Sequence, residues 1–159
     1  MLLQFADGEP FATGAAPYLY RPVTLEEATP RIILDVAVGD FETSGCVDTG
    51  GVYAICNPVV LPLLGLKPED GVLVPRPIHW RGVSHGGRLY RVPLKLLAEE
   101  GNGNSLTIEV TALIPDLKPN EEWPDDFPCF LGMHGCLEFL RFAVDPNTDT
   151  FYFGEFASL

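Results

Sequence analysis

At 159 residues and 47% hydrophobic content, the chain suits one domain with a substantial core and is cramped for two. A formal net charge of −12 argues against nucleic acid and anionic membranes as partners, since both would repel it. The 16 glycines, 15 prolines and modest 20% of charged residues fit many strands joined by tight turns.

The opening MLLQFADGEP has neither a basic segment nor a long apolar run, and no stretch approaches the ~20 apolar residues of a membrane span. A soluble, cytoplasmic protein is therefore expected. In that compartment Cys46, Cys56, Cys129 and Cys136, none in a CxxC pair, are expected to be reduced and buried. Cys129, His134 and Cys136 fit no zinc spacing and lack a fourth ligand, so no metal is expected and no other cofactor is implied.

Residues 1–30 are rich in loops and aromatics and read as an extension packed on a domain spanning 31–159. Thr24 and Glu27 have capping-box spacing, which predicts one helical turn before Pro30. From Arg31, Ile32, Leu34, Val36 and Val38 alternate with the residues between them, the period of a strand. Gly39-Asp40 suits a two-residue hairpin turn, and the return strand runs from Phe41 to Val47. It delivers Asp48 at its end, where Gly50 and Gly51 can take angles closed to other residues.

Val52 to Cys56 reads as a further strand, and Asn57 as the cap of a short helix ending by Gly65. Val72 to Trp80 reads as extended, and Arg81 to Gly87 as a glycine-rich turn with His85 exposed on it. Strands follow over Tyr90–Leu96 and Leu106–Ile114, separated by the turn EEGNGN. The acidic, proline-rich stretch 115–128 is a surface loop by composition. Phe130-Leu131-Gly132 is an apolar run stopped by glycine, and Met133 to Leu140 reads as a helix weakened by Gly135. Phe142 and Val144 share a strand face, Asp145 opens the turn DPNTD, and Thr150 to Phe156 forms the last strand. Trp80 and Trp123 read as packing residues. The sum is mostly β, a closed or partly closed barrel with one or two short helices.

A serine or cysteine hydrolase is disfavoured, because Ser84-His85 are sequence neighbours and there is no GxSxG elbow. Asp48-Thr49-Gly50 follows a hydrophobic strand, a glycine-rich hairpin lies mid-chain, and Phe130-Leu131-Gly132 precedes a strand carrying Asp145. Over roughly residues 31–156 this order resembles the retropepsin-like aspartic proteases. The resemblance implies a single-lobe acid-protease barrel and, with one Asp-Thr-Gly per chain, a homodimer. It implies that Asp48 is catalytic, that Thr49 bonds across the dimer, and that Gly50 lets the backbone approach the carboxylates. Gly51 stands where the family has Ala or Ser, and would line the substrate site. Ser84, His85, Gly86 and Gly87 would belong to the flap over a polypeptide substrate, with Leu131 and Gly132 bracing the catalytic loop. A noncatalytic peptide-binding or assembly module on the same fold is the alternative.

Overall fold

The computed structural model describes residues 2–80 and 82–156; Arg81 and the side chain of Trp80 lie outside the described residues. The first thirty residues supply two strands, β1 (Gly14–Pro17) and β2 (Leu19–Arg21). The predicted hairpin follows as β3 (Arg31–Val38) and β4 (Phe41–Val47), with Gly39 at φ +60 in its turn. After β5 (Ala54–Ile55) come the one-turn helix α1 (Val60–Leu63) and β6 (Val72–Leu73). A small hairpin of β7 (Ile78–Trp80) and β8 (Val83–His85) leads into the long strands β9 (Gly87–Leu96) and β10 (Leu106–Pro115). The last elements are β11 (Cys129–Leu131), β12 (Arg141–Asp145) and β13 (Thr150–Gly154).

Six strands close a barrel in the order β3-β4-β11-β5-β10-β9. Closure comes from β9 returning to β3, with Val36 opposite Leu96 and Val38 opposite Leu94. Strands β2 and β6 extend the sheet outside this ring, and β1-β13-β12 forms a separate three-stranded sheet. Alternation explains the core. Leu34, Val36 and Val38 point inward with Val92, Leu94, Leu96, Val110, Ala112 and Ile114, all buried. The intervening Ile33 faces the other way, into a second cluster with Val23, Cys46 and Phe127.

Several expectations need correction. Thr24 and Glu27 make a single turn without a helix, the Glu27 N–H donating to the Thr24 carbonyl. Asn57 does not cap α1 itself. Its Oδ1 accepts the Val59 N–H at 3.0 Å, closing the turn before the helix. The extended run 72–80 is split into β6 and β7, which pair with different partners. The residues expected as a turn, 81–87, include strand β8, and Gly82 takes φ +74 just before it. The helix expected over Met133–Leu140 shrinks to one 3₁₀ turn at Leu137–Phe139. Gly135 sits at φ +71, which no α-helix accommodates. The last strand ends at Gly154, two residues early.

Truncating Leu94, 1% exposed inside the barrel, as Leu94→Ala is expected to cost about 2–5 kcal/mol. Urea unfolding measures this, and a loss below about 1 kcal/mol would contradict the closed barrel core.

Candidate active site

Asp48 leaves the end of β4, and its position is set by main-chain bonds. β11 lies beside β4 in parallel, with Val47 opposite Leu131. The Asp48 N–H donates to the Leu131 carbonyl at 3.0 Å, and the Gly51 N–H closes the loop on the Asp48 carbonyl at 3.0 Å. The Met133 N–H donates to the Gly51 carbonyl at 2.8 Å and the His134 N–H to the Val52 carbonyl at 2.7 Å. Residues 48–52 are thereby stitched to 131–134. Between the stitches, Gly132 packs so closely on Tyr53 that a Cβ would collide with the Tyr53 carbonyl.

The loop glycines act by size, because neither Gly50 nor Gly51 takes a positive φ. That corrects the expectation of special backbone angles. A Cβ at Gly51 would lie 3.0 Å from Asp48 Oδ2, so this position keeps the carboxylate uncrowded. A Cβ at Gly50 would meet nothing nearer than Asp48 Oδ1 at 3.7 Å. Asp48 is half-buried, while Thr49 and Gly50 are exposed beside it. The neighbouring Val52 is 61% exposed and Met133 is 38% exposed, an apolar shoulder beside the carboxylate.

Asp48 has a partner that the motif alone does not suggest. Arg31 Nη2 lies 3.4 Å from Asp48 Oδ1, with both side chains about one-third exposed. At that exposure the pair is worth at most about 1 kcal/mol, so it orients Asp48 more than it stabilises the fold. The signal was in the sequence. A two-residue turn at Gly39-Asp40 fixes the hairpin register, and that register runs on to set Arg31 opposite Asp48. Below the loop, burial pushes the Cys46 thiol up to about 11, so it is no nucleophile at neutral pH.

The hairpin residues divide into two pairs. Ser84 and Gly86 are exposed, whereas His85 and Gly87 are buried. His85 was expected on the surface but is 3% exposed. Its Nε2 lies 2.6 Å from Glu121 Oε1 and its Nδ1 lies 3.2 Å from the Val83 carbonyl. Both contacts are hydrogen bonds at once only when both ring nitrogens carry protons. A Cβ at Gly87 would sit 2.6 Å from the Ile114 carbonyl, which explains glycine at the root of the hairpin. The 115–128 loop does more than surround itself with water. Glu121 binds His85, and Phe127 packs with Trp123 at 5.3 Å in the second cluster, which also takes Ile78 of the hairpin. Together the loop, the hairpin and residues 24–27 enclose a cleft of about 360 Å³ lined by Glu26, Glu27, Glu121 and Glu122; Asp48 lies outside it.

Among the described residues, no group of three His, Cys, Asp or Glu side chains is placed to hold a metal ion. His134 is exposed and pairs with Glu138 at 3.7 Å, away from any shared site with the buried Cys129 and Cys136. Asp145 serves its turn, Oδ1 accepting the Asn147 N–H at 2.9 Å. No helix among the described residues is long and apolar enough to cross a membrane.

The fold is similar to the crystal structure of a retropepsin-like aspartic protease from Rickettsia conorii, with a TM-score of 0.51 over 90% of this chain and 94% of that one. The chain has a retropepsin-like fold. Sequence identity is 14%, so the likeness is one of architecture. No protein-family model matches the sequence, and no curated protein matches it.

The stitching can be tested by size alone. Gly132→Ala is expected to cost about 1–3 kcal/mol because backbone must move, while Gly50→Ala stays within about 0.5 kcal/mol. Denaturant unfolding of both variants reads the difference, and equal costs would contradict the packing of Gly132 on Tyr53.

Proposed function

We propose that this chain is an aspartic endopeptidase working as a pair of identical copies, each contributing one Asp48. The observation that carries the reading is the Asp48 loop, held by backbone bonds to residues 131–134 with its carboxylate half-exposed at a strand end. The retropepsin-like barrel around it supports the same reading. One chain offers a single Asp-Thr-Gly, so a two-carboxylate site needs a second copy.

Chemistry follows from pairing the carboxylates. Two of them a few ångströms apart cannot both ionise cheaply, so they share a proton and titrate as a pair. The ionised Asp48 takes a proton from water as that water attacks the peptide carbonyl carbon. The protonated Asp48 gives its proton to the carbonyl oxygen. Collapse of the resulting diol breaks the C–N bond as the amine takes a proton. No cofactor enters these steps. Exposed Thr49 would bond across to the second copy, Gly50 and Gly51 would leave room around the carboxylates, and Leu131 and Gly132 would brace the loop. Ser84 and Gly86 would meet the substrate backbone as an added strand. His85 and Gly87, being buried, would instead anchor the flap.

A second reading, a noncatalytic peptide-binding module, draws on one observation: Arg31 already engages the Asp48 carboxylate. An arginine there occupies the carboxylate that a catalytic pair would need free.

Cleavage of a mixed peptide library, followed by mass spectrometry from roughly pH 4 to 7, separates the two. The expected result is a set of cuts in extended, largely apolar segments that disappears in Asp48→Asn. Cuts that persist undiminished in that variant would assign the chemistry elsewhere, and no cuts at any pH would favour the binding module.

A further inference from the structure

Two cysteines that the proposed chemistry does not use lie against each other in the barrel wall. β11 and β5 pair in antiparallel fashion with Phe130 opposite Ile55. Extended one residue past the end of β5, that register sets Cys129 opposite Cys56. Directly opposed residues in an antiparallel pair have Cα atoms about 4.5–5.5 Å apart and side chains on the same face. That separation falls within the range of about 4.4–6.8 Å spanned by disulfides. Both side chains are 1% exposed, both belong to the main core, and both are free thiols.

The pair is also polarised. The thiols of Cys56 and Cys129 interact, which pushes the Cys56 thiol up and draws Cys129 down. The backbone N–H of Asn57 also bonds Cys129 and draws it further down, against the cost of burial. Cys129 is therefore the sulfur that ionises first. Nearby Cys136 is driven the other way, its thiol pushed up to about 12 by burial. Cys46 lies in the second cluster, on the opposite face of the sheet.

We propose that Cys56 and Cys129 are a redox-active dithiol that closes to an intrachain disulfide on contact with hydrogen peroxide. Both cysteines are 1% exposed, so the oxidant proposed is a small neutral peroxide, the class that needs the least local opening to reach them. The Cys129 thiolate attacks one peroxide oxygen and breaks the O–O bond. The sulfur becomes a sulfenic acid, and the departing hydroxide leaves as water after taking up a proton. The Cys56 sulfur then attacks the sulfenic sulfur, and its proton leaves with the hydroxyl as a second water. Two thiols lose two electrons and the peroxide gains them. The bond would tie β5 to β11 two residues before Leu131, whose carbonyl holds Asp48. The chemistry requires no peptidase activity, so it stands or falls separately from the proposed function.

The test treats the native protein with hydrogen peroxide, blocks remaining thiols with N-ethylmaleimide, and maps peptides by tandem mass spectrometry without reduction. The expected product is a linked pair joining Cys56 to Cys129, lighter by two hydrogens and released by dithiothreitol. The link is expected to vanish in Cys56→Ser and Cys129→Ser and to survive in Cys136→Ser. Mapping the wild-type protein assigns the linkage even if a serine variant fails to fold. A bond from Cys136 to either partner, irreversible oxidation of Cys129 without a link, or a link formed only in denaturant would overturn the proposal.

Discussion

The arrangement around Asp48 depends on a strand of three residues. Cys129–Leu131 is inserted between β4 and β5, parallel to one and antiparallel to the other. Its end supplies the carbonyl that fixes Asp48, and the residues after it supply the N–H groups that fix Gly51 and Val52. Hydrogen bonds of this kind are individually worth only about 1 kcal/mol. Their effect here is geometric, since three of them span one short loop and leave it little freedom. Gly132 is part of the same constraint, because any side chain would push the two segments apart.

Charge is organised around this frame in two places. Arg31 meets Asp48 at the open end of the β3–β4 hairpin. Further along, His85 meets Glu121 where the small hairpin rests on the 115–128 loop. The two pairs differ in setting. Arg31 and Asp48 are each about one-third exposed, so water screens them and either can exchange partners. His85 is buried, so separating it from Glu121 leaves polar groups without water, which is the costlier event. An acidic chain thus places one cation against its Asp48 and one buried imidazole beneath its hairpin.

Much of the barrel was legible because its strands obey a period of two. Arg31–Val38, Phe41–Val47 and Leu106–Pro115 fall where alternation and the Gly39-Asp40 turn put them. The register of that hairpin even contained the Arg31–Asp48 pairing. The first strand, GAAP, was not legible, because its residues carry no alternation and it is held by distant partners, β13 on one edge and residues 99–103 on the other. The contact between His85 and Glu121 bridges a separation of 36 residues, which no local pattern encodes. The Met133–Leu140 helix failed because Gly135 takes a left-handed angle at a close approach to Thr111, a tertiary demand that overrides the apolar spacing. The opposition of Cys56, just past β5, to Cys129 of β11 emerged only once the register of these strands was known.

The central claim is that two Asp48 carboxylates from two copies act together. The most direct test mixes wild-type protein with Asp48→Asn in varied ratios, allows subunits to exchange, and measures peptide cleavage at constant total protein. If each site needs both aspartates, activity falls as the square of the wild-type fraction, because mixed pairs are inactive. A linear fall would mean that each chain works alone, and would contradict the account.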